Sequence, residues 1–395
     1  MASPVEKQKT LSSANHRIIS STLKKIWICN DIWMDTLPFF DLAQLGLKLA
    51  LLSPRFDALV DTHFDGKSEL TIWRPIEIRR KGRGSAAEAQ FYVFINHAES
   101  VHFPLPDRPL PNKICFKQLL ITYIDHSVIT FLRANQQIFD KSTDLGFIVN
   151  CSDNAMDVQS IWDVFAREIW PIVAPNIHHL DFPDDYHLDN LRRRISPTML
   201  TDLDQLNSID SEDLLLDSPA DDGPNATVGQ ALSKWLNTPR NDGKPKQLRS
   251  CDYCHVSETT GMINSFKEAF LRATTTPVSY TFRLELYDST EHVMPFEVMN
   301  ERTNEMLTFE KEGNDDEIVD EHSQFTDAVW LLKRCPIGGT ATIQWEDRKS
   351  NKLNKIDIRL YGNCIGPLSP PKAGQMNAKN RLKMNPGPSG QQKKK

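Results

Sequence analysis

The sequence predicts an α/β fold, and three observations carry that reading. Segments of strand and helix character alternate through the middle of the chain at a step of roughly thirty residues. A dense apolar helical stretch precedes them, from Leu23 to Phe64, and segments of alternating apolar and polar residues follow from Met294 on. The expected architecture is an N-terminal three-helix segment, then a degenerate leucine-rich-like α/β solenoid, then a β-rich C-terminal cap. Because no clean leucine-rich consensus is present, a small open α/β sheet stands as the alternative.

The chain has 395 residues, 39% hydrophobic and 25% charged. That length is enough for two or three domains and a sizeable core. No run of about 18 apolar residues occurs, so no membrane span is expected. The opening MASPVEKQKTLSSANHR is polar and lacks the apolar stretch of a secretory signal. Seven cysteines, Cys29, Cys115, Cys151, Cys251, Cys254, Cys335 and Cys364, are scattered, as expected of reduced thiols in a cytoplasmic or nuclear protein. These features exclude a membrane protein, a collagen-like or coiled-coil rod and a small disulfide scaffold.

Charge is uneven. From Ile365 onward there are seven basic residues and no acidic one, leaving 39 basic against 52 acidic residues in the rest of the chain. An acidic body disfavours nucleic acid as a partner.

In order along the chain, residues 1–22 are expected to be disordered and 23–66 to form short helices. Residues 67–112 read as a β-hairpin (TIWRPIEIRR and AEAQFYVFINH) and a Pro-rich linker, FPLPDRPLP, stiffened by Pro104, Pro106, Pro109 and Pro111. The cluster Arg79, Arg80, Lys81 and Arg83 falls at the hairpin tip and reads as a solvated turn. Residues 113–290 form the repeat region. There KQLLITYI, LGFIVN, NIHHLDF, KQLRSCDY and VSYTFRLELYD are strands. The helices between them include one capped by Asp125 and one stopped by Pro171. An acidic insertion, 183–222, interrupts the period; it reads as a mobile loop with short helices and a candidate surface for a basic partner. Residues 291–364 form the cap, with a hairpin around NERTNE, and 365–395 a disordered basic tail.

Catalytic motifs are sparse. There is no phosphate-binding glycine loop, nucleophile elbow or metalloprotease helix. The string CDYCH (Cys251, Cys254, His255) has the spacing of a haem-attachment or thiol motif, and His178, His179 and His187 are the nearest candidates to complete a zinc site. The sequence lacks an export signal and a helix start directly after Cys254, so no cofactor and no metal is expected, and the chain reads as a non-enzyme. A thiol- or zinc-dependent enzyme at Cys251 and Cys254 is the rival.

The most informative stretch is NDIWMDTLPFFDLAQLGLKLALLSPRFDALVDTHF. Asn30 or Asp31 can cap a short helix that Pro38 stops. Asp41 then caps a second, whose Leu42, Leu45, Leu49 and Leu52 share one face, broadened by Leu47 and Leu51. Ser53 and Pro54 begin a third, with Phe56, Leu59 and Val60 inward. Four surplus leucines, at roughly 1.5–3 kcal/mol each on burial, could support a docked partner.

This run resembles an F-box. Leu37, Pro38, Asp41, Leu42 and Leu45 match its L-P-x-x-D-L-x-x-L half, and Ser53, Arg55, Phe56 and Leu59 match the second half, with Phe56 where Trp or Phe is usual. About four residues near GLKL are additional, close to one helical turn. Longer phrases, LAQLGLKLALLSPRFDALVDTHFDGKSELTIWRPI and PFEVMNERTNEMLTF, are similar to a large group of nematode F-box-like proteins. The resemblance implies a substrate-recognition adaptor of a Skp–cullin–F-box ubiquitin ligase. Leu37, Pro38, Leu42, Leu45, Leu49, Leu52, Phe56 and Leu59 would bind the Skp-type adaptor, and through it a cullin, and the α/β region would bind a target protein.

Overall fold

The structure, a computed structural model, describes residues 28–65, 70–72, 76–82, 88–94, 100–106, 109–110, 114–136, 139, 143–150, 155–212, 214–252, 256–274, 277–286, 294–312, 328–338, 354–361 and 364–369. Its strands, in chain order, are β1 (Leu70–Ile72), β2 (Ile76–Lys81), β3 (Glu88–Phe94), β4 (Ser100–Pro104), β5 (Ile114–Phe116), β6 (Gln118–Ile121), β7 (Thr143–Asn150) and β8 (Ile177–Phe182). There follow β9 (Ser208–Glu212), β10 (Lys246–Asp252), β11 (Tyr280–Leu286), β12 (Phe296–Asn300), β13 (Glu305–Lys311), β14 (Ala328–Pro336) and β15 (Asn354–Tyr361).

The fold is mixed α/β, built on one open 13-stranded sheet in the order β12-β13-β14-β11-β10-β9-β8-β7-β15-β6-β2-β3-β4. From β11 to β2 every neighbouring pair is parallel. Antiparallel strands finish both ends, β14, β13 and β12 at one and β3 and β4 at the other. β1 and β5 pair separately.

Each of the parallel strands β7 to β11 is reached through helices. They are α4 (His126–Ala134), α5 (Ala155–Val164) with α6 (Trp170–Val173), α7 (Asp185–Arg194) with α8 (Met199–Asp202), α9 (Val228–Leu236) and α10 (Val256–Arg272). Asp125 caps α4 as expected, accepting the Ser127 and Val128 N–H groups at 2.8 and 3.0 Å.

All the crossovers cover the same face. Phe91 of β3 meets Phe131 of α4, and Phe147 of β7 meets Trp162 and Phe165 of the α5 stretch, with ring centroids 4.0–5.1 Å apart. α7 packs between α5 and α9, and Arg334 of β14 lies over Phe270 of α10. Side chains alternate across a strand, so Phe282, Leu248, Ile209, Leu180 and Ile358 form the core beneath the helices. Their strand neighbours point to the opposite, helix-free side.

A buried ion pair ties the antiparallel end to the parallel array. Arg334 contacts Glu305 at 2.6 Å, with side chains 4% and 0% exposed. Arg334 also donates to Asn237 Oδ1 at 2.6 Å, and Glu305 accepts the Val278 N–H at 2.8 Å. Each guanidinium nitrogen and each carboxylate oxygen of the pair thereby has a hydrogen-bond partner, which helps offset its desolvation.

Several expectations are corrected. Residues 183–222 do not interrupt the array; they supply α7, α8 and β9. Their acidic composition masked a helix whose inward residues, Leu188 and Leu191, are few but well spaced. Within 67–112 the expected hairpin forms as β2 and β3, but the Pro-rich stretch after it is not a free spacer: β2, β3 and β4 extend the main sheet, and Leu110 is buried, its N–H donating to Asn135 Oδ1 at 2.7 Å. β12–β14 do close one end of the array, but β15 is not part of that cap. It lies between β6 and β7, where Ile356, Ile358 and Leu360 fill the core.

Pro171 does not stop its helix. A π turn, Phe165–Ile169, precedes it and the helix runs on to Val173, since a widened turn accommodates the missing proline N–H. Residues 364–369 pack along Ile124 and His126, through Ile124 N–H to Cys364 O at 2.8 Å and His126 N–H to Pro367 O at 2.9 Å. The expected disorder over 1–22, and over most of 365–395, lies outside the described residues.

Candidate functional site

Two surfaces can carry function, and the first is the N-terminal helical segment. It contains α1 (Asn30–Thr36), a 3-10 turn Leu37–Phe39, α2 (Leu42–Gln44), a π turn Leu45–Leu49, a 3-10 turn Ala50–Leu52 and α3 (Pro54–Phe64). Asp41 and Gln44 form a reciprocal capping box, and Ser53 Oγ accepts the Phe56 N–H at 3.3 Å to start α3. Asn30 and Asp31 are not the caps of α1; Cys29 holds that position without a side-chain bond. α2 packs on β1 and so ties the segment to the small sheet.

The expected docking residues divide. Leu37, Leu45, Leu49 and Leu59 are buried. Leu42 and Phe56 are half-buried, Phe56 edge-on to Trp33 at 4.8 Å. Pro38 and Leu52 are exposed, Leu52 at 63%. The π turn explains the split. It falls on the additional LGLKL residues and advances the chain by less rotation per residue than an α-helix. Leu47 therefore turns inward, 3% exposed, and Leu52 rotates out.

Two exposed apolar residues escaped the sequence reading: Phe39, 86% exposed, and Ile32, 57%. Phe39 directly follows the helix-breaking Pro38, and that adjacency was its only local signal. Arg55 holds the turn between helices by donating to Asn30 Oδ1 at 2.7 Å and Ile28 O at 2.6 Å.

The second surface is the helix-free face of the sheet. Strand registers place Tyr92, Glu77, Leu120, Asp357, Gly146, Asp181, Asp210, Arg249 and Arg283 in one row across it. Much of the row is ion-paired. Arg79 grips Glu77 at 2.6 Å and lies over the Tyr92 ring at 5.0 Å. Asp357, 3% exposed, accepts from Gln118 at 2.6 Å and lies 3.4 Å from Lys355, which also reaches Asp181 at 3.3 Å. Burial works against the Lys355 ammonium, but the two carboxylates outweigh it and raise its pKa. Arg249 pairs with Glu285 at 2.8 Å.

Midway along this face is a cavity of about 330 Å³, at the C-terminal ends of β8 and β9. Its floor is Gly146, where a Cβ would collide with Asp357 Oδ1. Its walls include Asp181, Asp210, Glu212, Asp357, Arg249 and Arg359. The alternation in RLEL and KIDIRLY placed such charges on one strand side, but no local pattern showed which strands would be neighbours.

Of the thiol and zinc candidates, only the three histidines are described, and each is engaged separately. Cys254 and His255 lie outside the described residues, as does the Cys251 side chain. His178 Nδ1 lies 2.9 Å from Asn176 O, His179 Nδ1 3.0 Å from Ser208 Oγ, and His187 joins Asp184 at 2.5 Å to the Val149 backbone. Among the described residues no three potential ligands gather to hold a metal. Among them, too, no helix is long and apolar enough to cross a membrane. No protein-family model, no curated protein and no solved structure matches the chain.

Proposed function

We propose that the chain is a substrate-recognition adaptor of a Skp–cullin–F-box type ubiquitin ligase. Its helical segment would bind the Skp-type adaptor and its α/β region a target protein. The observation that carries this reading is the exposure of Phe39, Leu52 and Ile32 on a segment whose other apolar residues anchor it to the sheet. Exposed apolar side chains beside buried anchors suit a helical partner's groove.

The repeat region is read as a short, interrupted solenoid. Each strand from β8 to β11 lies beside its predecessor, with every crossover on one face, and β15 breaks the neighbour rule by separating β7 from β6. Catalysis belongs to other subunits, and the recognition half sets the target's distance from them.

Co-expression with a Skp-type adaptor followed by affinity capture tests the reading. Wild type should retain the adaptor, while Phe39→Asp with Leu52→Asp should lose it and keep an unchanged thermal unfolding curve. A wild-type chain that never captures the adaptor, or a double variant that still does, overturns it and leaves a non-ligase interaction scaffold. Leu45→Asp is not a clean probe, because Leu45 is interior.

A further inference from the structure

We infer that the exposed edge of β12 is an interface with a second copy of this chain, the two strands pairing antiparallel about Val298. The inference goes beyond the adaptor reading and does not depend on it.

The two borders of the sheet are finished differently. β4 at one border ends in Pro104, which cannot donate to a further strand. β12 at the other border reads Phe-Glu-Val-Met-Asn, with no proline, no lysine and no bulge in its pairing with β13. Among the described residues no strand lies beyond it. Its outward N–H and C=O groups therefore form a regular template for one more strand.

The side chains at this border leave apolar surface open on both faces. On the helix side Phe296 and Val298 pack against the core but stay half-exposed. Lys267 of α10 lies over the Phe296 ring at 4.5 Å, and Leu271, one turn further along the same helix face, is 44% exposed. On the opposite face Met299 is 49% exposed beside the half-buried Met306. A border that faces only water keeps its outer side polar, whereas a strand added here finds apolar surface on either side.

Charge matches β12 to itself in one register. The strand carries one charge, Glu297, and Glu301 directly follows it. Centred on Val298, self-pairing sets Glu297 opposite the second copy's Met299 and Phe296 opposite its Asn300. Centring on Glu297 would oppose two carboxylates, and centring on Met299 would oppose Glu297 and Glu301. Like charges directly opposite destabilise a strand pair, so the Val298 register is favoured. Opposed residues share a face, so the two-fold axis stands normal to the sheet and both copies keep their helices on the same side. The contact is isologous and closes at two copies. Five opposed residues make a small interface, so the pair is reversible and depends on concentration.

The test is sedimentation equilibrium of the full 45.1 kDa chain over a concentration series reaching about 100 µM. Wild type should approach twice the monomer mass. Met299→Glu sets a carboxylate opposite Glu297 and should weaken dimerisation at least tenfold. Met299→Lys sets an ammonium there and should weaken it less than twofold or tighten it. Under mild oxidation Val298→Cys should form an intermolecular disulfide well beyond the wild-type background, and Glu297→Cys should not. Phe39→Asp with Leu52→Asp should dimerise as wild type does. A wild type that stays monomeric, equal effects of the two Met299 variants, or crosslinking no better at 298 than at 297 overturns the inference. Loss of the dimer in the Phe39 and Leu52 variant also overturns it, because the helical segment would then be the interface. Adaptor capture is a separate measurement, so failure of the dimer leaves the ligase reading standing, and failure of capture leaves the dimer standing.

Discussion

The N-terminal helices and the sheet's helix-free face use opposite chemistry on their surfaces. The helices bury Leu37, Leu45, Leu49 and Leu59 and still leave Phe39, Leu52 and Ile32 in solvent. The sheet buries its aliphatic rows beneath α4–α10 and exposes paired charges around a glycine-floored cavity. One surface suits contact by apolar burial, the other by electrostatic fit. The difference teaches that one chain can offer two chemically separate kinds of surface, an apolar one on the helices and a charged, more salt-sensitive one on the sheet.

The comparison can be broken by variants, beginning with the largest effect. Arg334→Ala strands the fully buried Glu305 carboxylate and should cost about 3–5 kcal/mol in chemical denaturation. Adding Glu305→Gln should recover part of that loss. Next, Leu45→Ala should cost about 2–5 kcal/mol through the cavity it leaves, whereas Leu52→Ala should stay within about 0.5 kcal/mol. Equal costs would remove the distinction between anchor and surface in the helical segment.

A pH effect comes third. Lys246 is nearly buried, donates to Trp235 O, and its pKa is lowered to about 7 by burial, with Arg240 adding to the shift. Unfolded, the same ammonium titrates near its ordinary 10.5. Between those values the unfolded chain holds a proton that the folded chain has released, so this group's contribution to stability rises with pH from about 7 to about 10.5. Below about 7 both states are protonated and the penalty is constant. The difference in unfolding free energy between wild type and Lys246→Met, followed across pH, should show that rise, on the order of a few kcal/mol. A flat difference would refute the assignment. Smallest of all, raising salt from 50 to 500 mM should leave capture of a Skp-type adaptor nearly unchanged, and a steep loss of capture would show that the contact at the helices is not apolar.

What the sequence revealed was local. Asp41, Ser53 and Asp125 cap the helices they were expected to cap, and NERTNE forms the turn between β12 and β13, where Asn304 takes the left-handed conformation at φ 56°. These features depend on residues within one turn of each other. The non-local ones were hidden. Ile356, Ile358 and Leu360 announce a strand but not that it enters between β6 and β7, more than two hundred residues earlier. The inward turn of Leu47 depended on a π turn that a fixed helical period cannot anticipate. The cavity was illegible for the same reason: Gly146, Asp181, Glu212 and Asp357 come from four strands whose order only tertiary pairing decides.

The position of β15 has a consequence for how the protein is made. Ile121 and Asn354 are separated by most of the polypeptide, and translation at ~5–20 residues per second delays their meeting by on the order of tens of seconds. Throughout that interval the β6 and β7 borders face the cell without their common neighbour. A message ending before codon 354 would yield a product with both borders permanently open, a substrate for quality control rather than a shortened but folded protein.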